Sequence, residues 1–155
     1  MSATNASDLY CSQYRHARDD KGRLQVPSRW RNGEAETCLM VIEWKEWIDA
    51  NTSHPCLLVV PPAVWERLVE SLKALPFGDP ISQKKRRLVG KRSQRVAIDK
   101  AGRINIPDEM LQKVGIQKEA IFVGLLDRFQ IWDPDRYKEI DSEDDKFEAE
   151  AFQSL

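Results

Sequence analysis

Two short segments carry the side chains best suited to chemistry. Asp19-Asp20-Lys21-Gly22-Arg23 and Asp99-Lys100-Ala101-Gly102-Arg103 share Asp, Gly and Arg at an offset of 80 positions, and Val26-Pro27 and Ile106-Pro107 extend the match. Gly22 and Gly102 permit a positive-φ turn, and the short Asp19 and Asp99 side chains suit accepting backbone N–H bonds across it. Arg23 and Arg103 then open a strand, each beside a turn lysine, Lys21 or Lys100. Two kinds of chemistry are open to these guanidinium groups: a surface ion pair, or a fork onto phosphate or onto O6 and N7 of guanine.

Other chemistry finds little support. Cys11, Cys38, Cys56, His16 and His54 show no C-x-x-C or H-x-x-x-H spacing, so no metal site is expected. Cys56 lies in an apolar run and reads as a buried, inert thiol. No phosphate loop and no evident pair of catalytic carboxylates occurs. The expectation is a protein without catalytic activity, cofactor or small-molecule substrate. An odd number of widely spaced cysteines fits a reducing cytosol. Met1 to Asp8 is polar and lacks the apolar core of a secretion signal, and no run reaches the roughly 18 apolar residues of a membrane span.

A net charge of −1 conceals strong local fields. Residues 84–103 carry nine Lys/Arg against one Asp, residues 15–31 six against two, and residues 133–150 three against nine Asp/Glu. Fields of that size matter when the partner is a polyanion. Arg15, Arg18, Arg92 and Arg95 flank the two turns and are expected to widen a basic surface. The run Lys84-Lys85-Arg86-Arg87 reads alone as a solvated helix face. Trp44, Trp47, Trp65 and Trp132 fit core packing or subunit contact better than base stacking.

The elements that must position the two turns follow from periodicity. Tyr10 to Arg18 and Arg23 to Val26 read as the arms of a β-hairpin, followed by a short helix from Ser28 to about Arg31, broken at Asn32-Gly33. Thr37 to Trp44 and Cys56 to Val60 read as buried strands, separated by a long polar loop holding Trp47 and His54-Pro55. Ala63 to Leu75 is an amphipathic helix, and a basic helix over Ile81 to Val89 stops at Gly90. The pattern then returns: strand Ser93 to Ile98, the second turn, strand Arg103 to Ile106, helix Pro107 to Val114, and a hairpin of Ala120 to Leu125 with Phe129 to Trp132. Pro62…Trp65 is echoed by Pro134…Tyr137 at an offset of 72, so the repeat spans whole units. The acidic segment after Asp133 starts as a helix and frays. Each half has some 50 structured residues, and a domain of that size buries only about 60% of its unfolded surface; the halves should share a core.

The ordered matches Asp19…Lys21-Gly22-Arg23-Leu24…Val26-Pro27…Arg31, His54-Pro55-Cys56-Leu57-Leu58…Pro61…Trp65, Arg87-Leu88…Gly90, Asp99…Gly102-Arg103-Ile104…Ile106-Pro107 and Val123-Gly124…Phe129…Ile131-Trp132-Asp133 resemble the MraZ family of bacterial transcriptional regulators. The resemblance covers about Tyr14 to Tyr137. It implies an α+β fold of two tandem AbrB-like (SpoVT/AbrB) swapped-hairpin units closing into an intrachain pseudo-dimeric β-barrel with peripheral helices. The units would be 13–64 and 92–136, with a helical connector at 65–91 and an acidic C-terminal tail at 137–155. It also implies double-stranded DNA as partner, at repeated promoter boxes of the division and cell-wall gene cluster. A homo-oligomeric ring and a cytoplasmic, nucleoid-associated location complete the expectation.

DNA contact in the family is assigned to the turns that here run from Asp19 to Arg23 and from Asp99 to Arg103. This chain departs from the family pattern at Tyr10-Cys11-Ser12, in its longer loop before His54, and at Leu111, where an arginine is usual; Arg31 keeps that arginine in the first unit. The alternatives are a ring-forming interaction scaffold without DNA affinity, or an AbrB-like antitoxin.

Overall fold

The computed structural model describes residues 10–31 and 38–155. In chain order the elements are β1 (Gln13–Ala17), β2 (Leu24–Gln25), a 3-10 turn at Ser28–Trp30, β3 (Cys38–Trp47), β4 (Ser53–Val60), α1 (Pro62–Lys73), α2 (Pro80–Arg92), β5 (Ser93–Ala97), β6 (Arg103–Ile104), α3 (Asp108–Lys113), β7 (Glu119–Gly124), β8 (Phe129–Trp132) and α4 (Pro134–Gln153). Proline occupies the first turn of α1, α2 and α4, where its missing N–H has no intrahelical partner to lose. Asp79 and Asp133 cap α2 and α4 by accepting from the Ser82 and Arg136 amides.

The fold is α+β, with six strands in one antiparallel sheet of order β1-β7-β8-β4-β3-β5 and a separate antiparallel ribbon of β2 with β6. The closing hairpin forms as expected, β7 pairing with β8 from Ile121–Trp132 to Gly124–Phe129, but the hairpins expected at the two turns do not form as such. Beyond the first turn β1 pairs with β7, setting Arg15 opposite Ile121. Beyond the second, β5 pairs with β3, setting Arg95 opposite Met40. The short second arms pair with each other, Leu24 opposite Ile104 and Gln25 opposite Arg103. Both arms of each turn thus find their strand partners in the other half of the chain.

The expected barrel is not closed. β1 and β5 stand at opposite edges of the sheet, and β2 and β6, two residues each, are too short to bridge them. The ribbon instead covers one face. Leu24, Val26, Ile104 and Ile106 join Met110, Leu111, Val114 and Ile116 in one core with Leu39, Val41, Leu57, Val59, Val96, Phe122, Phe129 and Ile131 from the sheet. On the other face α1 packs Val64, Trp65 and Leu68 against Met40, Ile42, Leu58 and Val60. There α4 packs Tyr137 and Ile140 against Cys56, Ile121, Val123 and Trp132.

Several boundaries differ from the periodicity reading. β3 and β4 run on through Trp47 and from Ser53, so His54-Pro55 and Trp47 lie in strands, as Trp44 does, and the loop shrinks to 48–52. α2 passes through Gly90 to Arg92. α4 does not fray. Its start is capped and tied down by the Tyr137 hydroxyl donating to Gln13 at 3.0 Å, with Ile140 packed below. The break expected at Asn32-Gly33 lies outside the described residues.

Trp30 sits between the halves. Its ring meets Tyr10, Tyr14, Phe122 and Phe129 at centroid distances of 5.7, 5.5, 6.2 and 4.9 Å, and its Nε1–H donates to the Cys11 carbonyl at 2.7 Å. Trp30→Ala is therefore expected to cost about 3–5 kcal/mol. Urea unfolding followed by tryptophan fluorescence and far-UV circular dichroism should still show one coincident transition, because the halves share their core.

Candidate nucleic-acid interface

Each turn is built around its aspartate. Asp19 Oδ1 accepts from the amides of Lys21 and Arg23 at 3.0 and 2.8 Å, and Oδ2 accepts from Arg23 Nε at 2.8 Å. Asp99 repeats the pattern with the amides of Ala101 and Arg103, both at 2.9 Å, and with Arg103 Nε at 2.9 Å. The backbone closes behind them, Asp19 N donating to Arg23 O and Gly22 N to Asp19 O, with the same bonds around Asp99. Gly22 and Gly102 take φ values of 77° and 83°, a region nearly closed to residues with a Cβ.

Local geometry fixes the charge. The Arg23 amide, followed by the Arg23 side chain and the Lys21 amide, holds the Asp19 carboxyl below its ordinary value. The Arg103 amide and side chain do the same for Asp99. Each carboxylate engages its arginine through Nε, an arrangement that fixes the stem of the guanidinium. Among the described residues the terminal nitrogens of Arg103 make no hydrogen bond to protein. The two guanidinium side chains keep 24% and 38% of their surface exposed, so neither is interior.

The ribbon brings the turns together. Val26 N donates to Gly102 O at 2.9 Å, Gln25 Nε2 donates to Ala101 O at 2.8 Å, and Arg23 Nη1 lies 3.9 Å from Asp99 Oδ2. Asp99 thus faces both arginines. Lys21 and Lys100 are exposed in the two turns and form no ion pair among the described residues.

The flanking arginines do not all join them. Arg18 turns inward, donating to the carbonyls of Gly22 and Gln117 at 3.0 Å each and to Asp108 Oδ1 at 3.1 Å. It braces the first turn from behind. Arg15 pairs with Glu119 at 2.8 Å. It shares the sheet face of Gln13, the residue bonded to α4, while Tyr14 packs with Trp30 on the other face. Arg92 ends α2 beside Glu43 and Trp44, and Arg95 contacts Cys38 Sγ at 3.9 Å. Arg15 and Arg18 are therefore paired with carboxylates, whereas Arg92 and Arg95 form no ion pair among the described residues.

Sequence reasoning gives little weight to Arg31. Its side chain covers Gly102, its Nε is buried without a hydrogen-bond partner among the described residues, and it lines a cleft of about 400 Å³ with Tyr14, His16, Gln25 and Ser28. The signal is its lack of a counterpart, since Leu111 at the matching position is buried. Among the described residues no cluster of metal-ligating side chains assembles, and burial pushes the Cys56 thiol up, away from reactivity.

The sequence is similar to known proteins over most of its length. The model of the MraZ protein family, whose description adds a likeness to antitoxins, matches residues 91–154. A transcriptional regulator MraZ of Lachnoclostridium phytofermentans is 33% identical over 84% of this chain and 85% of its own. One from Klebsiella pneumoniae is 35% identical over 74% and 73%, and one from Roseiflexus castenholzii 28% identical over 85% and 86%. These relatives are named for regulating transcription and not for catalysis.

Two outcomes check the turn geometry. Gly102→Ala should destabilise by at least about 1 kcal/mol from the positive φ alone, and by less in an Arg31→Ala background, where the overlap with the guanidinium is removed. Because both carboxyls are held below the ordinary value of 3.8, their stabilisation is present above it and disappears as pH falls through the lower folded values. Acid titration of urea midpoints should therefore fall less steeply below about pH 4 in Asp19→Asn/Asp99→Asn than in the parent.

Proposed function

The chain belongs to the MraZ family of transcriptional regulators, and we propose that it is a sequence-specific DNA-binding regulator whose contact surface is the paired Asp-to-Arg turns. The observation that carries this reading is the juxtaposition of Arg23 and Arg103 across the β2–β6 ribbon. Their stems are fixed by Asp19 and Asp99, and Lys21 and Lys100 stand exposed alongside. A guanidinium pre-set in this way loses less freedom when it forks onto phosphate or guanine. The lysines neutralise phosphate as point charges, and Arg31, which forms no ion pair among the described residues, adds positive potential beside the second turn.

In this reading residues 13–64 and 92–136 are AbrB-like units that have exchanged hairpin arms, joined by the connector 65–91. The reciprocal pairings β1 with β7 and β5 with β3 support it. Arg18 acts as a brace, and Arg15, Arg92 and Arg95 contribute at most long-range attraction. The acidic helix α4 packs on the sheet face opposite the ribbon, which leaves the turns open to a duplex. Phosphate contacts position the protein without reading sequence, so specificity falls to base edges and DNA shape.

The targets are repeated promoter boxes of the division and cell-wall gene cluster, bound in the cytoplasm on the nucleoid. A ring of subunits engages several boxes at once. No helix among the described residues is long and apolar enough to cross a membrane.

Gel-shift titration on DNA from upstream of the chain's own gene tests the reading. Tandem boxes should bind on the order of 10²–10⁴ more tightly than a single box; equal affinities would remove the multivalent part of the reading. Arg23→Ala or Arg103→Ala should lower the slope of log K against log salt by about 0.9 for each phosphate that is no longer neutralised. A slope and affinity unchanged in both variants would take the turns out of the interface.

A further inference from the structure

Where the two halves differ in strand length, the longer strand leaves an unfinished surface. At an offset of 81, β3 matches β7 from Cys38 to Glu43, but β3 continues to Trp47 while β7 stops at Gly124. β5 pairs with β3 only from Cys38 to Ile42, whereas β4 pairs with it out to Trp47. From Glu43 to Trp47, β3 therefore has one open edge among the described residues, of the kind that proteins commonly cover with a helix or loop. Beside this edge lies a cleft of about 560 Å³ between β3 and α2, lined by Ile42, Trp44, Trp47, Leu72, Leu88 and Val89. Trp44, Trp47 and Leu88 expose 40%, 62% and 42% of their surface. Its charged lining is Lys45, Lys85 and Arg92 against the single Glu43, cationic on balance.

The complementary shape is found on the same chain. The residues that seat α4 on the sheet, Tyr137 and Ile140, begin a stripe that is interrupted by Asp144 and resumes at Phe147 and Ala151, at the a/d spacing of a helix seam. At Phe147 the stripe is 55% exposed, and Phe152 beside it is 65% exposed. Residues 141–155 carry six Asp/Glu against one Lys. At about 1.5 Å per residue, the 20-residue helix is about 30 Å long. Its distal half thus carries an acidic surface with exposed aromatics, a match for a basic-rimmed apolar cleft.

We propose that the distal half of α4 from a second copy of this chain docks in the cleft between β3 and α2, seating Phe147 and Phe152 against Trp44, Trp47 and Leu88 and covering the open edge of β3. The surfaces that meet are different patches, so the association is head-to-tail. Such an association closes into a ring or continues as a filament, depending on its rotation. It supplies the interface for the ring invoked under Proposed function, and it stands or falls without DNA.

Complementation between two full-length variants tests it. Phe147→Asp/Phe152→Asp disables the helix and keeps the cleft, while Trp47→Glu/Leu88→Glu disables the cleft and keeps the helix. Light scattering after size exclusion should show the parent as an oligomer whose mass falls with rising salt, and each variant alone as a monomer with unchanged circular dichroism. Mixing the two should give a 1:1 heterodimer that grows no further, since one helix and one cleft remain competent. If the parent is oligomeric and both variants keep its mass, the ring survives but this interface is wrong. A monomeric parent, or monomeric variants that do not combine, overturns the interface as well. A variant with altered circular dichroism is replaced by Phe147→Ser or Trp47→Ser, for which the same outcomes decide.

Discussion

The pairing of Leu24-Gln25 with Arg103-Ile104 is the constraint from which the remaining architecture follows. Those few backbone bonds hold two turns, some eighty residues apart in sequence, close enough for Arg23 Nη1 to lie 3.9 Å from Asp99 Oδ2. They also oblige the first arms to separate and find partners at opposite edges of the sheet, β1 on β7 and β5 on β3. Neither half retains a sheet of its own, so the core joining ribbon, α3 and sheet is common to both. A local turn is thereby made rigid by contacts that span the whole chain.

Charge follows the same division of the sheet into two faces. The ribbon face carries the turns, where each aspartate is consumed by two backbone amides and one Nε. The opposite face carries α4, whose carboxylates stay away from the turns. Asp19 and Asp99 are thus locked into turn geometry, while the carboxylates of α4 lie behind the sheet; Asp20 is exposed in the first turn, and Asp108 meets Arg18 at 3.1 Å.

Much of this is legible in the residues. The repeated Asp…Gly-Arg pattern yields the turns, their positive-φ glycines and the side chains in them, since that chemistry is local. The Pro-initiated helices and the Phe129–Trp132 strand are equally local. What periodicity does not supply is partner choice. Alternation in Gln13–Ala17 marks a strand but not whether it folds back on Leu24 or crosses to Phe122, and the crossed answer depends on contacts distant in sequence. The same gap hides the contacts of Arg18, which reads as surface charge until Gln117 and Asp108 are brought beside it. Trp47 and His54-Pro55 read as loop because polar and aromatic residues alternate weakly there, yet β4 pairs with β3 through that stretch. Arg31 is visible only as an asymmetry with Leu111.

Both turns must touch one duplex if the ribbon exists to bring them together. Ultraviolet cross-linking of the protein to promoter DNA carrying 5-bromodeoxyuridine, with the attached peptides identified by mass spectrometry, tests this directly. Adducts are predicted on the peptides holding residues 19–25 and 99–105 alike. Adducts confined to the basic helix α2, with both turns untouched, would contradict it.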